Sequence, residues 1–481
     1  MRVSELFRLD RTQATLDFVD VHVDADVPVF IEPTALRIQT GNWHDECIAL
    51  LQSFFAEVLD AVSTGDTNRI VRLLERLSEP NETHLGLSRG QSRGRGLGGA
   101  GAEKIATALA RSQAAKSGLL HDLEDTTLFI EGIGRDIVSD ITTNVLRGAL
   151  IGYTQRCAEY YEIPMEEQYS GPIWNPDALN WQEGQVALPR ANDDKLLLVP
   201  KSIVRTDSIF GTTGYYRGYL RPKLLQREIE SGSLLVEVLK TGQRKVSIRE
   251  IEKKYPKNKL ALIKYSEDFP DALPQFRKSV NKITAPPLDH GELAARTSSP
   301  PPDFQGLIEQ VAAIAPGQAG ATLYHRSVEA LISAVFYPYL VNPKMENPIH
   351  EGRKRIDITY DNEASGGFFY WLSLHYRTST IPIECKNYAG DPGNPELDQL
   401  AGRFSPQRGR VGILCCRSFE GKELFVKRCT DTAKDDRGYI IPLDDDDLRS
   451  LIQSTMVDQA EDRMNRGAFT LLRERFDRLV K

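Results

Sequence analysis

Cysteine is scarce in this chain, with six residues in 481, and no two of them form a Cys-x-x-Cys pair. That excludes a disulfide scaffold and a zinc ribbon, and leaves buried thiols acting as small hydrophobes. Eight histidines show no His-Glu-x-x-His spacing, and no Gly-Lys-Ser/Thr closes a phosphate-binding loop. No run approaches the roughly 18 apolar residues that would span a bilayer, and Met1 to Asp10 carries no long apolar stretch. The expectation is a cytoplasmic protein with no membrane partner. A surplus of positive charge is also missing: the formal net charge is −7, which excludes a surface that is polycationic throughout but leaves room for a local basic groove.

What is present is the composition of a globular protein, 41% hydrophobic and 26% charged, in a chain long enough for two or three cores. Residues 14–31 alternate apolar and polar, predicting one or two strands. Helical patterns follow at 43–62, 67–77, 102–117 and 136–162, with a strand at 195–204 and mostly helix over 214–285. Pro286 to Pro302 is the sharpest shift in composition, and its prolines predict a stiff spacer. The expected organisation is a mostly helical recognition, regulatory or assembly region over 1–285, a proline-rich linker over 286–303, and a second domain over 304–481. That domain reads as helices at 304–315 and 321–337, strands at 354–360, 367–375 and 380–387, a helix at 395–404, and a strand at 410–416. A helix near 420–433, a strand at 439–443 and two more helices complete it. The order α-β-β-β-α-β predicts a mixed sheet flanked by helices, an α/β (α+β) fold.

Two of those strands carry charge that a structural strand would not need. In Thr380-Ile381-Pro382-Ile383-Glu384-Cys385-Lys386-Asn387, residues two apart share a face, so Glu384 and Lys386 point together. Asp357, in Arg353-Lys354-Arg355-Ile356-Asp357-Ile358, can reach that face from a neighbouring strand. Two carboxylates and a lysine provide hard oxygen ligands with a fixed cation beside them, the equipment of metal-assisted phosphodiester hydrolysis.

The order of elements, with an acid on one strand and Glu-x-Lys on a later one, resembles the PD-(D/E)XK nuclease superfamily, the restriction-endonuclease-like fold, over about 321–416. Ile356 stands where the eponymous proline would be. The resemblance implies that Asp357, Glu384 and the backbone carbonyl of Cys385 ligate Mg2+ or Mn2+, and that Lys386 holds water or neutralises charge. It implies further that Glu329 is an additional acidic residue, and that Gln399 matches the helix glutamine of the Mrr-like and Holliday-junction-resolvase-like branches. Its expected activity is magnesium-dependent endonuclease cleavage of DNA, with restriction or anti-phage defence as the role and self-assembly left open. The alternatives are a ribonuclease, and a catalytically silent nucleic-acid-binding or assembly module.

Around the site, Arg353, Lys354, Arg355, Arg403, Arg408 and Arg410 are candidates for phosphate contacts, or else a solvated charge run. Gly96 to Gly101 matches a dinucleotide-type Gly-x-Gly-x-x-Gly, but no strand precedes it, so no nucleotide cofactor is expected. Asp17, Asp20, His22, Asp24 and Asp26 read as the solvent face of an edge strand. The run Asp444 to Asp447 reads as a helix cap, and Asp136, Asp140, Thr143 and Arg147 as a polar helix stripe.

Overall fold

The computed structural model describes residues 1–37, 42–86, 100–206, 210–238, 241, 243–280, 287–349, 354–364, 366–460 and 466–481. The glycine- and arginine-rich segment at 89–95, most of the Gly96–Gly101 motif and Arg353 lie outside these residues.

The first 300 residues form a helical core around the 22-residue helix Asn42–Ser63, joined by Ala100–Arg111, Arg135–Val145 and Arg147–Tyr160. Small hairpins between 166 and 195 interrupt the helices. The strands expected at 14–31 and 195–204 shrink to a two-residue ladder, Phe30–Ile31 against Val204–Arg205. The acidic alternation is a solvent face only in part: Asp24 is exposed, but others turn inward. Asp20 is buried and accepts from the backbone N–H and hydroxyl of Ser4, while Asp17 accepts from Tyr153 Oη at 2.9 Å and from the N–H of Asn342 at 3.0 Å. Thr143 and Arg147, expected on an exposed stripe, are buried.

The proline-rich segment is more than a spacer. It holds the helix His290–Thr297, started by a capping box in which Asp289 accepts from Glu292 N–H and the Glu292 carboxylate accepts from Asp289 N–H. Leu288 and Leu293 pack into the first core, and His290 Nε2 lies 2.8 Å from the carbonyl of Ala334.

The second core begins at α1 (Phe304–Ala313) and α2 (Ala321–Phe336). Then come β1 (Leu340–Ile349), β2 (Lys354–Asn362), α3 (Gly367–Tyr376), β3 (Thr380–Lys386), α4 (Asn394–Ala401), β4 (Val411–Cys416), α5 (Lys422–Lys434), β5 (Tyr439–Leu443), α6 (Asp445–Ala460) and α7 (Arg466–Val480). The five strands make one mixed sheet in the order β1-β2-β3-β4-β5, antiparallel up to β3 and parallel from β3 to β5. β3 and β4 are inner strands with almost every residue buried, which explains their near-continuous apolar character. Residues 367–375, expected as a strand, are helical instead: Phe368, Phe369 and Leu372 bury one face of α3. β1 carries Pro343 and Pro348 at the sheet edge, with a register shift between Val341 and Lys344. Asp444 caps α6 as expected, its Oδ1 accepting from Asp447 N–H at 2.9 Å. Among the described residues no helix is long and apolar enough to cross a membrane.

The two cores meet along a polar seam. Arg11 lies 2.8 Å from Glu329 Oε2, as a charge contact rather than an aligned hydrogen bond, and the Lys201 ammonium sits 4.1 Å from the centre of the Tyr337 ring. Tyr337 and Val341 belong to the first core and Ala14 to the second, so each half lends side chains to the other.

Candidate active site

The site is built where the β2–β3 ladder stops. Its pairs run from Asp361–Thr380 to Ile358–Ile383, and the next residues along each strand are Asp357 and Glu384. The Cys385 N–H donates to Asp357 Oδ2 at 2.9 Å in place of a ladder bond. That contact fixes one oxygen of Asp357 and leaves the other to a ligand; the side chain keeps 19% of its exposure.

Glu384 and Lys386 share a face of β3, as the alternation requires. Lys386 Nζ donates to Glu384 Oε1 at 2.8 Å and to Gln399 Oε1 at 3.3 Å, while Gln399 Nε2, from the last turn of α4, donates to the same Glu384 oxygen. Glu384, Lys386 and Gln399 therefore form one connected set. Glu384 Oε2 is buried and has no hydrogen-bond partner among the described residues. A carboxylate oxygen left unpaired in a buried place costs free energy unless something positive meets it.

Electrostatics follow from that geometry. Glu384 is 0% exposed and its pKa is pushed up to about 6, chiefly by burial and then by the charge of Asp357, against the pull of Lys386 and Arg403. For Lys386, burial works to lower the pKa, but the charges of Glu384 and Asp357 and the hydrogen bond to Glu384 outweigh it and hold the ammonium above its ordinary value. Because folded Glu384 keeps its proton to higher pH than the unfolded chain does, it subtracts stability as pH rises from 4.5 to about 6. Urea unfolding across that window should show a loss on the order of 2 kcal/mol from this group. The Glu384→Gln variant should lack that component, and an equal slope in both proteins would assign it elsewhere.

A residue that the sequence reading missed lies beside Asp357. His325, near the start of α2, places Nε2 3.1 Å from the Cys385 carbonyl and 3.8 Å from Asp357 Oδ2. It carries no motif of its own, and only the packing of α2 against β3 brings it there. Asn387, directly after Lys386, fastens the loop that leads into α2: its Nδ2 donates to the carbonyls of Ala315 and Gly317, and its own carbonyl accepts from Gly317 N–H.

Other expected residues have partners of their own. Glu329, taken as an additional acid of the site, is fully buried. It binds Arg11 and accepts from Ser333 Oγ at 2.7 Å. Among the described residues no group of three or more His, Cys, Asp or Glu side chains is placed to hold a metal ion, so the acidic part of the site is the pair Asp357 and Glu384. Several candidate phosphate ligands are already engaged. Arg355 pairs with Glu346 at 2.9 Å, Arg410 pairs with Asp436 at 2.8 Å, and the Arg408 guanidinium donates to the carbonyl of Arg403. Arg403 is itself buried, near enough for its charge to act on Glu384. Lys354 opens β2, and its side chain lies outside the described residues.

Residues 8–211 match a family described as a domain of unknown function, DUF8370. The match ends well before the strands that carry Asp357 and Glu384. Comparison with curated proteins and with solved structures gives no match.

Proposed function

We propose that the C-terminal half is a metal-dependent nuclease of the PD-(D/E)XK type that hydrolyses phosphodiester bonds in DNA. One observation carries the reading: Asp357, Glu384, Lys386 and Gln399 converge from two adjacent strands and a helix at the end of a ladder, with a buried carboxylate oxygen of Glu384 left unpaired. The sheet supports it as far as its class goes, since one mixed five-stranded sheet is the kind of fold the resemblance implies.

The donor set fits a hard divalent cation such as Mg2+ or Mn2+, with Asp357, Glu384 and the Cys385 carbonyl as oxygen ligands. Such an ion supplies Lewis acidity and a more acidic bound water. The chain's own residues do the rest. Gln399 donates to Glu384 and fixes the orientation of its carboxylate. Lys386, kept charged by its two acidic neighbours, provides a compact cation to oppose charge building on a phosphate. His325, beside both Asp357 and the Cys385 carbonyl, is placed to donate or accept a proton there. Within this reading, restriction or anti-phage defence is the role the resemblance suggests.

Plasmid DNA incubated with the full chain tests the reading. Magnesium or manganese should support cleavage, whereas calcium, with longer bonds and looser geometry, should support little. Cleavage that persists in a chelator would reject the mechanism. One observation favours a second reading, a catalytically silent nucleic-acid-binding module: Lys386 is tied to Glu384 and Glu329 to Arg11, so neither is free. DNA binding without cleavage under either metal would select it. RNA offered in place of the plasmid separates ribonuclease from deoxyribonuclease.

A further inference from the structure

Residues 244–264 carry eight lysines and arginines against two glutamates, within a chain whose net charge is −7. This stretch lies beyond the DUF8370 match and far in sequence from the candidate active site. It folds as the second strand of the hairpin Val236–Val238 with Arg244–Val246, the helix Ile248–Lys254 and most of the helix Lys259–Asp268. Val246, Ile251, Leu262 and Ile263 anchor it by burial.

The neighbouring acids are largely spent within the unit. Glu228 pairs with Lys254 at 2.7 Å, Glu252 with Arg221 at 2.8 Å, Asp268 with Arg227 at 2.8 Å and Asp271 with Lys223 at 2.7 Å. Glu237 stands opposite Lys245 across the hairpin, and Lys259 donates to the carbonyls of Ile130 and Ile133. Arg244, Arg249, Lys253, Lys257 and Lys264 remain exposed, and among the described residues none enters an ion pair. Arg249 and Lys253 are four apart on one helix and so share a face, where like charges repel. A cluster of that kind is relieved by a polyanion whose charges repeat at short intervals.

We propose that this hairpin–helix unit is a docking surface for the phosphate backbone of duplex DNA. The choice of DNA rests on the nuclease reading; the basic surface stands without it. An anionic membrane is the competing partner, because Val238, Ile248 and Leu260 are exposed on the same unit. They come from three different elements, however. In each helix the next apolar residues, Ile251 in one and Leu262 and Ile263 in the other, are buried, so no amphipathic stripe is available to enter a bilayer.

The test is binding of the full-length Glu384→Gln protein to a fluorescent duplex of mixed sequence in chelator, across a salt series. The set Arg244→Ala, Arg249→Ala and Lys253→Ala should weaken binding at least about tenfold at physiological salt and lower the salt slope by about 2 to 3, close to one per lost phosphate contact. A control set of equal charge change, Arg72→Ala, Lys104→Ala and Lys116→Ala, should bind within about twofold of the parent; circular dichroism checks that both sets stay folded. Equal loss in both sets, or none in the first, overturns the proposal, as does loss of binding to anionic vesicles with DNA binding intact. Cleavage is scored separately on the otherwise unsubstituted protein. DNA binding lost with the patch but no metal-dependent cleavage in the parent would keep the surface and reject the nuclease, and the reverse pattern would do the opposite.

Discussion

Replacing Glu384 or Lys386 by alanine is expected to lower metal-dependent DNA cleavage by at least about a hundredfold, the usual cost of losing one electrostatic contact made in the transition state. Asp357→Ala belongs to the same class. The three should differ in their effect on the folded protein. Glu384→Ala removes a buried carboxylate that has one unpaired oxygen, and leaves Lys386 with Gln399 as its remaining hydrogen-bond partner. Asp357→Ala frees the Cys385 N–H at the end of the ladder. Plasmid nicking assays read the first effect and urea midpoints the second. Wild-type cleavage by a folded Glu384→Ala or Lys386→Ala protein would sink the site assignment.

The second large effect concerns stability. Arg11→Ala should cost about 3–5 kcal/mol, the range observed when one partner of a buried ion pair is removed and the other charge stays unpaired. Glu329 is fully buried, and burial together with its charge pushes the neighbouring Tyr161 hydroxyl up. Combining Arg11→Met with Glu329→Leu should recover much of the loss, since an apolar pair replaces both charges. Equilibrium urea unfolding of the two single variants and the double variant measures this directly; an Arg11→Ala protein within 1 kcal/mol of wild type would mean that water reaches the pair, well short of the buried-pair range. By the same reasoning, a fragment beginning near Asp303 would expose the Glu329 carboxylate and the apolar faces of Tyr337 and Val341, and should be less stable than the intact chain.

The inner strands were legible in the sequence because Ile381, Ile383 and Cys385 in one, and Val411, Ile413, Leu414, Cys415 and Cys416 in the other, make short apolar runs of strand length. A charge placed on such a strand is conspicuous. β1 was missed because Pro343 and Pro348 argue against a strand, and only its edge position makes them tolerable. α3 was misread because Phe368, Phe369, Tyr370 and Trp371 favour strands by propensity, whereas the burial of Phe368, Phe369 and Leu372 fits one helical face. Within the site, Glu384 and Lys386 announce each other two residues apart, and Asp357 follows from the neighbouring strand. The fate of Glu329 was not legible: its partner Arg11 lies more than 300 positions earlier, and nothing local to α2 points to it. His325 escaped for the same reason, since its meaning depends on β3 and not on its own helix.

The polar seam also bears on how such a chain can change over generations. Arg11 with Glu329, and Asp17 with the backbone of Asn342, tie residues more than 300 positions apart into shared contacts. A recombination event that brings in only one half would carry the charge without its complement. An exchange of one half alone is therefore expected to leave a buried charge unmatched, and a change at Arg11 to be offset best by one at Glu329.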